Sequence, residues 1–168
     1  MKSSELRTGD VVLFYNRKTW LSWTIGLFDW SDCSHVGLVL VDPPIDGLPP
    51  GTYLLESGYE DFDDVEDHAR SIYGVRLSKL DDVLRAYGSR DIHARRLAAT
   101  PTPITAAMVR KLHAAVHGKP YDMQVTHWAQ FALGLHGRRT DQEFQCAAMV
   151  TYALTIFGVV PATVDWTF

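Results

Sequence analysis

Apolar and polar positions along the 168 residues follow two rhythms, one of period two and one of three to four. The run at 8–15 opens on the turn signal Gly9-Asp10 and continues through Val11, Val12, Leu13 and Phe14, which predicts a first strand. The clearest strand is His35-Val-Gly-Leu-Val-Leu-Val41, closed by Asp42-Pro43-Pro44. Its alternation puts His35, Gly37, Val39 and Val41 on one face and Val36, Leu38 and Leu40 on the other. A loop rich in Pro and Gly at 43–51 leads to another strand at 52–57, so the two can pair as an antiparallel hairpin with a long connection. Shorter strands are predicted at 72–77 and 93–97.

Helical spacing marks four other stretches. At 19–29, Trp20, Trp23 and Leu27 recur every three or four residues with Leu21, Ile25 and Phe28 beside them, and a turn follows at 29–34. A helix at 79–87 has Ser78 and Asp81 at capping-box spacing. Thr102-Pro103 suits a helix opening, with Ile104, Met108, Leu112 and Ala115 as the buried stripe and Gly118 and Pro120 as the stop. The last helix spans 143–157 and turns Cys146, Met149, Val150, Ala153, Leu154 and Phe157 inward. Residues 58–70 concentrate acidic side chains and read as a solvated excursion, while Trp128 and the turn-like 134–139 belong to a less regular stretch. Short strands in the first two thirds with helices around them predict an α+β domain, a small antiparallel sheet packed with helices.

Hydrophobic residues make up 46% of the chain, which suits one core and is too short for two, so 1–168 is expected to be a single domain. The formal charge is −4, from 16 basic and 20 acidic side chains, and supplies no positive field for nucleic acid or anionic lipid; Arg138 and Arg139 are only a local basic spot. The first ten residues lack the apolar region of a secretory signal. The most apolar stretch, 144–160, includes Gln145 and Thr151 and runs into Pro161, which fits a buried helix better than a membrane span. Cys33 and Cys146, far apart in sequence, do not resemble the bridging of small secreted domains, so reduced thiols and a cytoplasmic location are expected, with a Cys33–Cys146 bond as the alternative.

Candidate chemistry starts at Cys146. A thiol at a helix N-terminus meets unpaired N–H groups and the positive end of the helix dipole, both of which favour thiolate. Thr140 and Glu143 could cap the helix and leave Cys146 in its second turn, whereas a start near Glu143 or Phe144 brings it closer to the positive end. Glu56 stands among Tyr53, Leu54 and Leu55, where a carboxylate needs a partner, and His35 could supply one. Such a carboxylate would fix the imidazole tautomer. Asp29, Asp32 or Asp122 could orient the ring instead, and each residue also has an ordinary reading: a core cysteine, a strand-end histidine, an edge charge.

Together, Thr8-Gly-Asp-Val-Val-Leu-Phe, Cys33-Ser-His-Val-Gly-Leu-Val-Leu, Tyr53-Leu-Leu-Glu-Ser, His117-Gly-Lys-Pro-Tyr-Asp122 and Glu143-Phe-Gln-Cys-Ala-Ala-Met-Val resemble the permuted branch of the NlpC/P60 papain-like superfamily, and within it the YiiX/YaeF-like group. The resemblance covers 8–158. It implies a circularly permuted papain-like fold in which the histidine strand precedes the cysteine helix, with Cys146 as nucleophile, His35 as base and Glu56 as third polar residue. Ala147 and Ala148 stand where many relatives carry Ser-Glu, which questions any substrate or capping role of those two positions.

The resemblance implies a thiol hydrolase that cleaves a peptide, isopeptide or acyl-amide bond through an acyl-enzyme on Cys146, without a cofactor. Tyr15 is a candidate oxyanion or substrate contact, and Trp20, Trp23, Leu27 and Phe28 could line an apolar substrate groove. The alternatives are an acyltransferase or thioesterase acting on a lipid-like substrate, and a binding module with an idle thiol. Zinc is the chemical competitor, because Cys33, His35 and Cys146 could meet in space. No Cys-x-x-Cys pair supports it, and His113 and His117, one helical turn apart, are two ligands where a site needs more, so no metal is expected.

Overall fold

The structure, a computed structural model, describes residues 2–15, 33–58, 64–66, 74–88, 92–98, 100, 102–121 and 145–164. Among them, β1 (Val11–Phe14), β2 (His35–Val41), β3 (Thr52–Gly58), β4 (Gly74–Lys79) and β5 (Ile92–Arg95) form one antiparallel sheet in the order β4-β3-β2-β1-β5. Three helices pack on it: α1 (Leu80–Tyr87), α2 (Ala106–Val116) and α3 (Cys146–Ile156). This is the α+β arrangement the patterning predicts, with the histidine strand ahead of the cysteine helix.

Alternation along the strands divides the core in two. Leu38, Leu40, Tyr53, Leu55, Val75 and Leu77 pack with Val109, Leu112 and Val116 of α2 and Met149, Val150 and Ala153 of α3. On the opposite face Val12, Phe14, Val39 and Leu54 pack with Leu80 and Val83 of α1. The β2–β3 hairpin forms with the expected long connection, and its loop closes where the Gly51 amide donates to Asp42 Oδ1 at 2.7 Å. Asp10 is buried because its carboxylate accepts from the Arg7 and Leu97 amides, both at 3.0 Å, which ties the start of β1 to the chain beyond β5.

Several boundaries differ from the sequence reading. β4 is described from Gly74, residues 72 and 73 of the expected strand lying outside the described residues, and it runs through Lys79 directly into α1, so no capping box forms: Lys79 is the N-cap, and Ser78 stays buried within the strand. Helix α2 is capped by Thr105 rather than opened at Thr102-Pro103, with the Thr105 hydroxyl accepting from the Met108 amide at 3.3 Å. Its innermost residues are Val109, Leu112 and Val116, while Ile104, Met108 and Ala115 are only partly buried at the margin. Helix α3 starts at Cys146 itself, behind Gln145 as N-cap. The expected helix at 19–29, most of the 29–34 turn, Trp128, the 134–139 turn and the Thr140/Glu143 cap lie outside the described residues.

Strand β4 is at one border of the sheet, and its outer rim is covered. The Val65 amide donates to the Leu77 carbonyl at 2.9 Å, the Val75 amide to Lys119 at 2.8 Å, and the Gly118 amide to Val75 at 3.0 Å. The approach at Gly74 is so close that a Cβ there would sit 2.5 Å from the Lys119 carbonyl oxygen. Residues 64–66 and the end of α2 are thereby fastened to the same strand.

Candidate functional site

Two polar clusters flank this framework. The first sits where β2 begins. His35 Nε2 lies 2.7 Å from Glu56 Oε2, and Arg76 Nε donates to Glu56 Oε1 at 3.1 Å, with Glu56 and Arg76 both fully buried. Strand register explains the convergence, since Glu56 pairs with Gly37 on one side and Arg76 on the other. Gly58, opposite the His35 end of β2, leaves room for the ring and the guanidinium. Cys146, the first residue of α3, also acts on the His35 ring.

Electrostatics follow from this packing. Burial works against the His35 imidazolium, but the Cys146 and Glu56 contacts outweigh it and hold the pKa well above its ordinary value. Burial likewise opposes the Glu56 carboxylate, and His35 and Arg76 reverse the effect and lower its pKa. Cys146, His35 and Glu56 therefore come together. Arg76, the second cation on Glu56, is missing from the sequence reading because an arginine between Val75 and Leu77 looks like an outward-facing strand residue. Tyr15 stacks edge-on against His93 of β5, with ring centroids 4.9 Å apart. Trp20, Trp23, Leu27 and Phe28 lie outside the described residues.

The second cluster joins residues 64–66 to the end of α2. His113 and His117 are one turn apart and their rings stack with centroids 4.6 Å apart, so both imidazoles point the same way. His113 Nε2 meets Glu66 Oε2 at 2.5 Å; His117 Nε2 meets Asp64 Oδ2 at 2.8 Å and Glu66 Oε2 at 3.1 Å. The Glu66 amide donates to Asp64 Oδ1 at 3.0 Å, which folds the two carboxylates toward one side. Although Asp64 is largely buried, the His117 bond and the Glu66 N–H hold its pKa below the ordinary value. One donor atom each from Glu66, His113 and His117 falls within 4.8 Å of the others, a spacing a metal ion can bridge.

No family model and no curated protein sequence matches the chain. Among solved structures, it is similar to metalloprotein yiiX from Escherichia coli O157:H7, at a TM-score of 0.55 and 20% identity. The match covers 89% of this chain and 65% of that one, so the chain spans just under two thirds of the protein it matches. The likeness is one of fold. It agrees with the YiiX-like resemblance carried by the sequence motifs.

These findings overturn the thiol-hydrolase reading, and with it the expectation of a peptidase or amidase. The donor set that the fold assembles, Glu66, His113 and His117, could hold a metal ion, and the structure of similar fold is described as a metalloprotein. Glu56 shared between His35 and Arg76 is also what a buried structural charge network requires, so convergence on it does not establish catalysis. Helical spacing points to two histidines alone, because the third donor, Glu66, comes from the acidic excursion at 58–70, whose composition predicts a solvated loop. Asp64 is in fact buried there and Glu66 half-buried. The spacing of His113 and His117 was the available signal. No helix among the described residues is long and apolar enough to cross a membrane.

Proposed function

We propose that this protein is a metalloprotein that binds a late first-row divalent cation, of the Zn²⁺ type, through Glu66, His113 and His117. The carrying observation is the convergence of two imidazole nitrogens and a carboxylate oxygen from separate segments within 4.8 Å. Two nitrogens and one carboxylate oxygen suit zinc and its neighbours better than calcium or magnesium, which prefer all-oxygen cages. Glu66, His113 and His117 would hold such an ion with three protein ligands, the number usual in zinc sites that activate water rather than in structural ones. Asp64, beside His117, steadies the carboxylate side of the site. The metalloprotein character of the structurally similar yiiX supports the same reading. Reduced Cys33 and Cys146 suit a reducing compartment, and we place the protein in the cytoplasm on that ground.

Calorimetric titration of the chelator-treated chain with ZnCl₂ tests this. One ion per chain is expected, with binding lost in His113→Ala, His117→Ala and Glu66→Ala. In Asp64→Asn it should weaken by about 10- to 100-fold, the usual effect of a supporting group. Wild-type binding no tighter than that of His113→Ala refutes the site.

A further inference from the structure

Both polar clusters depend on the same strand. Arg76 stands in the middle of β4 and reaches inward to Glu56, with Nε 3.1 Å from Oε1, while His35 holds the other carboxylate oxygen at 2.7 Å. All three side chains are buried. The backbone on either side of Arg76 faces the opposite way, toward the rim of the sheet. There the Val75 amide donates to the Lys119 carbonyl at 2.8 Å, and the Val75 carbonyl accepts from the Gly118 amide at 3.0 Å. The Leu77 carbonyl accepts from the Val65 amide at 2.9 Å, and Gly74 bridges to Pro120.

Each of these outer segments carries part of the metal donor set. Val65 stands between Asp64 and Glu66, and Gly118 follows His117 directly. The two segments meet beyond the rim, where Glu66 Oε2 is 3.1 Å and Asp64 Oδ2 is 2.8 Å from His117 Nε2. On one face of β4, Val75 and Leu77 pack with Val109, Leu112 and Val116 of α2, the helix that presents His113. β4 is therefore enclosed by a bracket of donor-bearing segments, with Arg76 between the two points where the bracket is attached. Releasing Arg76 from Glu56 requires β4 to lift out of the sheet, and β4 cannot lift without displacing Val65 and Gly118. An ion that fixes Glu66 to His113 and His117 closes the bracket and opposes that local opening.

We infer that the His35–Glu56–Arg76 network positions the metal site: by seating β4 it sets the spacing of Glu66 against His113 and His117, and a bound ion in turn holds the network shut. This is a regulation of that same site and rests on the metal reading. Glu56 and Arg76 are positioning residues that act through the backbone of β4. The coupling is reciprocal, so weakening the network weakens ion binding, and ion binding protects the network.

The test titrates the chelator-treated full chain with ZnCl₂ by calorimetry, at a temperature where circular dichroism shows each variant folded. Glu56→Gln should raise the Kd at least about fivefold. Val12→Ala, a core truncation in β1 and remote from β4 in the sheet, should stay within about twofold of wild type although it also lowers stability. Hydrogen exchange on the wild type supplies the reciprocal measurement. The Arg76 amide, turned toward β3, should exchange at least about fivefold more slowly with zinc bound, while the amides of β5 at the far border should not change. This measurement needs no variant and decides the outcome if Glu56→Gln does not fold. Equal zinc affinity in wild type and Glu56→Gln, equal weakening by Val12→Ala, or slowing spread evenly over β4 and β5 each overturn the coupling and leave the ion site standing. A wild type that takes up no zinc removes the metal reading and this inference with it.

Discussion

At the scale of single residues, the governing feature is a carboxylate with no exposure held between two cations. A buried charge is tolerable only while its partners remain, so Arg76→Ala should cost about 3 kcal/mol in urea denaturation, more than any surface charge deletion. The same network sets a pH window. His35 titrates above its ordinary 6.5 in the folded chain, so its contribution is complete below pH 6.5 and is lost as pH rises through the folded value. Glu56 titrates below its ordinary 4.5, so its contribution is complete above pH 4.5 and is lost as pH falls through the folded value. Both are in full force between those limits. The stability difference between wild type and Glu56→Gln should therefore peak between pH 4.5 and 6.5 and shrink on either side; a flat difference across pH 3 to 9 would rule this out. The need of Glu56 for a partner was legible, because three large apolar residues immediately precede it in the strand. Its second partner was not, since pairing across to β4 depends on register, which a single strand does not encode.

At the scale of elements, short apolar runs bounded by turn signals located β1, β2 and β3 closely, because a sheet covered on both faces keeps most strand positions apolar. Helix boundaries were less legible. Thr102-Pro103 and Thr105 are both plausible openings, and the choice depends on which turn packs against the core, where Val109 and Val116 occupy the central places. The acidic excursion departs from its expected solvated state for a related reason: composition reports the average of a segment, while Asp64 and Glu66 are drawn inward by Val65, whose amide is fixed to β4. Gly74 is the tightest point of that assembly. Gly74→Ala would drive a Cβ into the Lys119 carbonyl, a backbone atom with little room to yield, and should cost about 1–3 kcal/mol. A lower urea midpoint with an unchanged slope is the expected signature.

At the scale of the whole molecule, the proposed ion ties parts of the chain that chemistry along the sequence leaves apart. His113 and His117 end α2, Glu66 follows the β3 segment, and both sides hang on β4. Because the ion binds the folded arrangement, zinc at a hundredfold excess over its dissociation constant should add about 2.7 kcal/mol. For a chain of this size that corresponds to a rise in melting temperature of about 5–10 °C. Thermal scans with zinc and with chelator read this directly, and His117→Ala should show no shift. The global layout was the most legible level, since fragments of strand and helix in a particular order carried the YiiX-like resemblance, and the fold agrees with it. The chemistry was the least, because ligands gathered from distant segments leave no continuous motif.

The covering of β4 reaches beyond this one chain. A bare strand at the border of a sheet offers its amides and carbonyls to any extended peptide, including another copy of itself. Here residues 65 and 118–120 occupy those groups, and the histidine–carboxylate cluster clamps both of them in place. Depriving the protein of the proposed ion would weaken the clamp, so scarcity of metal would register as a tendency of molecules to stick together strand by strand.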